Sequence, residues 1–348
     1  MTTLLDRTPA APPTTRPTGR RAAGLLGAVA LLALVVLASL ALGARDIAPG
    51  DVLDALLDRV PGSTDHDVVM DQRVPRTVVG LVVGAALGLA GTIMQGITRN
   101  PLADPGLLGV NAGASLFVVL AITFLGVTSP AGFIWFALAG AALAAAVVYG
   151  VGAIGREGAT PVKLALAGMA TTAGATSLIT VVLLTDTDAL NSYRRWAVGS
   201  LAGRGTDMLL ALAPFLVVGV LLALATGRTL NLLAMGDDVA RGLGQNIHLA
   251  RVVAAVAIVL LAGCATALAG PIVFVGLVVP HVVRPFTGPD YRWILPYSVI
   301  LGPVLLVAAD VVGRLVVQPG ELEAGIVVAV VGAPALIAIV RRVKLAGL

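Results

Sequence analysis

Apolar runs of about 20 residues recur along the chain, separated by short polar breaks, and a run of that length is what a helix needs to cross a bilayer. The pattern predicts an all-α, polytopic membrane protein of ten transmembrane helices, at 22–43, 76–97, 106–126, 132–153, 161–185, 206–227, 251–269, 271–286, 294–313 and 324–341. The eighth run is short. An even number of spans returns both termini to one side. Residues 1–20, rich in Pro, Thr and Ala and without a hydrophobic pattern, read as a disordered cytoplasmic tail, which leaves 21–348 as the ten-helix domain. Arg20 and Arg21 precede the apolar run Ala22 to Ala44 and imitate a signal peptide. A signal core is about 7–15 residues long, whereas 23 residues suffice to span, so the first helix is expected to be retained.

Composition agrees. The chain is 58% hydrophobic and 12% charged, with mean hydropathy +0.98, where a soluble domain carries about 25% charged residues. Gly 41 and Pro 20 are tolerated in membrane helices, where small residues let helices approach. The single cysteine, Cys264, lies in an apolar run and excludes an intrachain disulfide. A net charge of +4 and a pI near 9.7 could suggest nucleic acid, but the charges are sorted by topology. With the N-terminus inside, the inner segments hold 15 basic and six acidic residues, and the outer segments eight basic and thirteen acidic. That is the positive-inside bias.

Charge also limits the mechanism. No acidic or basic residue falls at the centre of a predicted span, which argues against proton coupling through buried carboxylates or histidines. Coupling to sodium through backbone carbonyls stays open. The chain lacks a phosphate-binding Gly-Lys-Ser/Thr: Lys163 follows Val162 and Lys344 follows Val343. Gly150-Val-Gly-Ala-Ile-Gly155 matches a dinucleotide pattern but ends an apolar helix with no strand before it. Small-residue packing explains it better, as it does Gly80, Gly84 and Gly88 on one helix face. His248 and His281 share no ligand spacing with another His or Cys, so no metal site is expected.

Three segments carry more than hydrophobicity. The first is Arg73-Val-Pro-Arg76 with the downstream string Met94-Gln-Gly-Ile-Thr-Arg-Asn-Pro-Leu-Ala-Asp-Pro-Gly-Leu-Leu-Gly-Val-Asn-Ala-Gly113. The second is Leu230-Asn-Leu-Leu-Ala-Met-Gly-Asp-Asp-Val-Ala-Arg-Gly-Leu-Gly244, and the third Gly270-Pro-Ile-Val-Phe-Val-Gly-Leu-Val-Val-Pro-His-Val-Val-Arg284. From about residue 50 to the C-terminus, in order and spacing, these resemble the iron-siderophore, haem and cobalamin permease family of ABC importers (FecCD type). The string from Thr98 to Gly113 most resembles the ferric-siderophore members, of the enterobactin-permease type.

The resemblance implies a permease subunit that dimerises, with itself or a related permease, around a central pathway in the bacterial cytoplasmic membrane. Two cytoplasmic ATPases would bind below, carrying the ATP and magnesium, and an extracytoplasmic substrate-binding protein above. This chain itself would hold no cofactor, and iron would cross inside its chelate. Arg73, Arg76 and Arg314 would dock acidic residues of the binding protein, as guanidinium grips carboxylates bidentately. The residues alone leave other readings open: arginines that snorkel or pair with Asp71, and an i, i+4 ion pair of Asp310 with Arg314. The stretch around 230–246 would be the ATPase-coupling element, carried by Ala234, Met235, Gly236, Asp237, Asp238, Ala240, Arg241, Gly242, Leu243 and Gly244. Asn100 and Leu102 are candidate gate residues beside simple turn chemistry. Thr171, Thr172, Thr176 and Ser177 are candidate pathway residues beside hydroxyls bonded to their own helix. A haem or cobalamin permease is the alternative within the family, and a self-sufficient secondary transporter the alternative outside it.

Overall fold

Backbone groups in hydrocarbon must be satisfied within the segment, which restricts spanning elements to helices or closed barrels. In the computed structural model, which describes residues 18–155 and 160–342, helices alone meet that demand, and no strand occurs among the described residues. The helices are α1 (Thr18–Ala41), α2 (Pro49–Leu57), α3 (Thr64–Asp67), α4 (Val74–Thr98), α5 (Val110–Leu125), α6 (Pro130–Gly152), α7 (Pro161–Thr185) and α8 (Thr187–Ala197). They continue with α9 (Thr206–Ala225), α10 (Gly227–Ala234), α11 (Asp237–Gly242), α12 (Ile247–Ala269), α13 (Val275–Thr287), α14 (Tyr291–Val316) and α15 (Ala324–Arg342). Of the expected tail, Thr18 to Arg20 open α1 and the remainder lies outside the described residues.

Among the described residues, seven helices are long and apolar enough to cross a membrane: α1, the continuous helix Thr64–Thr98, α6, α7, α9, α12 and α14. Val110–Leu125, Val275–Thr287 and Ala324–Ala338 are apolar but shorter. Each of the ten predicted runs coincides with one of these. Local chemistry sets their ends. Ser129, Thr160 and Asn246 accept the N–H of the residue three positions on, capping α6, α7 and α12, and Pro130 and Pro161 occupy the first turns. α5 starts at 110 rather than 106 because Asp104 Oδ1 caps a 3-10 turn at Pro105–Leu108, and Gly109 then turns left-handed at φ 71°. α13 starts at 275 rather than 271, after an irregular 270–274 linker whose Phe274 has φ 69°. α2, α3, the π-helical turn Val68–Arg73, α8, α10 and α11 lie outside the ten predicted spans, and α11 starts where Asp237 and Asp238 favour a short helix.

α4 is the central post. It packs against α14, α12 and α13, while α1 and α7 are peripheral. The Gly80/Gly84/Gly88 face lets this happen: a Cβ on Gly84 would lie 2.6 Å from the backbone N and Cα of Pro303, and one on Gly88 2.7 Å from the Ser298 carbonyl. Next along α4, Thr92 Oγ1 and Ser298 Oγ share a buried 2.8 Å hydrogen bond. Gly150 faces open space, and no strand precedes the Gly150 to Gly155 string.

Candidate functional site

Two charged clusters sit at opposite ends of α4. At its N-terminal end, Arg73, Arg76 and Arg314 come together but turn inward, with 4%, 9% and 2% of their surfaces exposed. Arg73 Nη1 donates to the carbonyls of Leu40 at 2.8 Å and Ala41 at 2.7 Å, and its Nη2 to that of Arg45 at 2.5 Å. It thereby places a cation on the open C-terminal carbonyls of α1, where the helix dipole favours one. Arg76 grips Asp310 of α14 through Nε and Nη2, at 2.8–3.0 Å, and Nη1 reaches Glu321 Oε2 at 2.6 Å. Arg314 Nε binds Asp310 Oδ2 at 2.9 Å, its Nη2 contacts the same oxygen, and its Nη1 and Nη2 donate to the Ser39 carbonyl and hydroxyl. Ser39 in turn meets Thr77 at 2.7 Å. Asp71 is engaged by Arg59 instead of Arg73 or Arg76. Above the cluster opens a cleft of about 240 Å³ lined by Arg45, Gln72, Arg73, Arg76, Arg314 and Glu321.

The other end of α4 meets the second and third motifs. Arg99, the left-handed C-cap of α4 at φ 50°, reaches Asp237 Oδ1 at 3.2 Å, and Arg251 of α12 holds the other carboxylate oxygen at 2.8 Å. Gln95, buried one turn earlier, donates to the Leu277 carbonyl of α13 at 3.3 Å. All three motifs therefore converge on one helix end. Asp237 opens α11 after Gly236, which turns at φ 105° where an L side chain is strained. Met235, Val239 and Leu243, before, within and after α11, are exposed apolar residues, Asp238 pairs with Arg241, and Ala240 is buried. Gly242 is exposed, and Gly244, at φ 82°, closes the turn with its N–H on the Arg241 carbonyl. Ala234 is exposed at the end of α10.

The comparisons with known proteins decide the family. The model of the FecCD transport family matches residues 31–342. The chain belongs to the FecCD transport family. Among its relatives, the probable siderophore transport system permease protein YfiZ of Bacillus subtilis (strain 168) is 44% identical over 281 residues, 81% of this chain and 84% of YfiZ. The ferric enterobactin transport system permease protein FepD of Escherichia coli (strain K12) is 43% identical over 323 residues, 92% of this chain and 96% of FepD. A solved structure described as an inward-facing conformation of a metal-chelate type ABC transporter superposes with TM-score 0.79 at 27% identity, covering 93% of this chain and all of that one. The FecCD chain is thus an integral membrane protein and a transport subunit of the ABC class.

The remaining candidates of this FecCD chain are placed as follows. Asn100 Oδ1 accepts the Leu102 N–H at 2.9 Å, an Asx turn at the end of α4, with Asn100 exposed and Leu102 half-buried. On α7, Thr171 and Thr172 are half-buried and Thr176 and Ser177 exposed. Ser177 Oγ donates to the Ala173 carbonyl and Thr180 Oγ1 to that of Thr176, so these hydroxyls are satisfied on their own helix. His281 Nδ1 contacts the Leu277 carbonyl at 2.8 Å, and His248 is exposed near Tyr149. Among the described residues, no group of three His, Cys, Asp or Glu is placed to hold a metal. Sequence reasoning missed Arg99, Arg251 and Gln95 as site residues; their partners lie 138, 14 and 182 positions away, and no local spacing marks them.

Proposed function

We propose that this chain is the permease subunit of an ATP-driven importer that carries a ferric-siderophore complex across the bacterial cytoplasmic membrane. The observation that carries the reading is the 43% identity, across nearly all of both chains, to a ferric enterobactin permease. The ten apolar helices would then form ten spans, with both termini cytoplasmic by the basic bias of the inner segments. α10 and α11 would receive an ATPase. The exposed side chains of Met235, Val239 and Leu243 offer an apolar contact, and Asp237, paired with Arg99 and Arg251, would pass the movement to α4 and α12 as rigid bodies. ATP and magnesium would sit on that partner, with no cofactor held here.

One subunit would form half of the pathway. A second copy or a related permease would supply the rest, with the face of α7 that carries the half-buried Thr172 and the exposed Thr176 toward the pathway. At the opposite end, a substrate-binding protein would present an acidic side chain to the arginine-lined cleft. Arg45, the most exposed of its arginines, would make first contact, with Arg73, Arg76 and Arg314 behind it as fixed positive charge. Asn100 and Leu102 would flank the cytoplasmic mouth.

Uptake of labelled ferric siderophores, haem and cobalamin tests the reading in cells lacking this gene, with and without the wild-type chain and its ATPase. Loss of siderophore-iron uptake alone, restored only when both are present, is the expected result. Loss of haem or cobalamin uptake instead would keep the importer and overturn the substrate. Uptake without any ATPase would replace the importer with a secondary transporter.

A further inference from the structure

Arg204 breaks the rule that the other buried arginines obey. Arg73, Arg76 and Arg314 are closed off by carboxylates or helix-end carbonyls. Arg204, in the turn between α8 and α9, is only 7% exposed, yet its one hydrogen bond is long: Nε donates to the Ser200 carbonyl at 3.5 Å. Among the described residues it has no ion-pair partner. Burial pushes its guanidinium pKa down, and Glu323 offsets this only through space. A cation kept out of water without a partner is costly, so the fold holds it there against its own stability.

Arg204 borders a cavity of about 200 Å³ together with Thr128 from the loop before α6, Phe133 from its first turn, and Ser192, Arg195 and Trp196 of α8. The indole N–H of Trp196 is buried and has no hydrogen-bond partner. Arg195 is exposed, and its Nη2 donates to Ser192 Oγ at 3.3 Å. The walls thus carry two guanidiniums, an unmatched N–H and two hydroxyls, without a carboxylate. The 20-residue helix α9, about 30 Å long, separates this cavity from α10 and α11, and it shares no residue with the cleft over Arg73, Arg76 and Arg314.

We propose that this cavity is an oxyanion site that takes a carboxylate-bearing group, held by the guanidiniums of Arg204 and Arg195. The planar fork of an arginine matches a carboxylate bidentately, and the ligand would give Arg204 the counter-charge its neighbours do not. The volume admits a small polycarboxylate, or one acidic side chain of a protein seated on this end. Both sources present the same chemistry.

The test uses the full chain in detergent with Trp135→Phe and Trp293→Phe, so that Trp196, one of three tryptophans, is the sole indole reporter. Citrate and, separately, a tetraglutamate peptide are titrated against sodium chloride at equal ionic strength. A saturable change in Trp196 fluorescence is expected, lost in Arg204→Gln and weakened roughly tenfold in Arg195→Gln. Should Arg204→Gln fail to fold, the exposed Arg195 variant decides. A response to citrate alone assigns a free carboxylate, and a response to the peptide alone assigns a protein side chain. No saturable response to either probe, or a response undiminished in the folded variants, overturns the site.

Discussion

Arg76 and Asp310, 234 positions apart, form a buried bidentate ion pair that ties the start of α4 to the far end of α14. The same carboxylate also receives Arg314, so one Asp faces two guanidiniums, and the exposed Glu321 supplies the second negative charge through Arg76. Removing Asp310 leaves two buried cations where there was one near-neutral cluster.

Asp310→Asn should therefore lower stability by about 3–5 kcal/mol, the range for breaking a buried charge pair from one side. Glu321→Gln, at the wetter edge, should cost under about 1 kcal/mol. Denaturant unfolding of the two variants in detergent checks the order; a larger loss in Glu321→Gln would mean that Glu321, and not Asp310, is the main counter-charge.

On the proposed docking of a binding protein at the cleft above that cluster, Arg45 separates docking from folding. Arg45 is half-exposed and forms a direct ion pair with Asp65 at 2.8 Å. Arg45→Glu should reduce substrate uptake while leaving the melting temperature unchanged, whereas Arg73→Glu with Arg76→Glu should reduce both. An Arg45 variant with normal uptake at limiting binding protein would remove the cleft from the docking surface.

What the sequence could and could not disclose follows from the range of each interaction. Lipid imposes its demand on every residue of a span, so the ten apolar runs were visible as composition alone. The Asp310–Arg314 contact was visible as an i, i+4 spacing. The cluster around it was not, because Arg76, Ser39 and Glu321 come from separate elements and meet only after α1, α4 and α14 pack. α2 and α8 escaped for another reason. They are short helices, α2 amphipathic and α8 polar, that bury two residues each, Val52 and Ala55 in one, Ala189 and Trp196 in the other. The structure brings together the three arginines that the family resemblance singled out, but their inward bonds to α1 carbonyls and to Asp310 have no signature along the chain.

Asp237 should act as the joint between the coupling helices and the bundle. Asp237→Asn keeps the shape and removes the charge that Arg99 and Arg251 share. ATP-driven uptake should fall roughly 2- to 30-fold, the span of a 0.5–2 kcal/mol coupling loss, with the ATPase still co-purifying. Asp238→Asn, which breaks only an exposed pair with Arg241, should be near neutral. Equal effects from the two would place the joint elsewhere.

Helix approach gives a steric test. Gly84→Val pushes a branched side chain into the backbone of Pro303 and must separate α4 from α14, costing at least about 1–3 kcal/mol. Gly150→Ala meets nothing within 4 Å and should be tolerated. Thermal unfolding of both variants reads the difference directly.

Asp290 links α10 to α14 and should give the chain an acid-sensitive seam. Its carboxylate caps α14 at the Arg292 N–H, accepts Asn231 Nδ2 at 2.7 Å and pairs with Arg292 at 2.9 Å, while Asn231 Oδ1 accepts the Tyr291 N–H. The Arg292 hydrogen bond, the largest influence, holds the Asp290 pKa down at about 2 against the opposing effect of burial. An unfolded Asp titrates near 3.9, so the folded state binds fewer protons between the two values. The contribution of Asp290 is thus fully present above about pH 4 and is lost as pH falls through about 2. Asp290→Asn should be less stable than wild type at neutral pH, with the gap narrowing from about pH 4 downward and closing near pH 2. Arg292→Gln should narrow the same gap by raising the Asp290 pKa toward its ordinary value. Unfolding midpoints of the three proteins across that range, measured in one detergent, decide the matter: a gap that stays constant with pH would show that the seam is held by the Asn231–Tyr291 bond and not by the Asp290 charge.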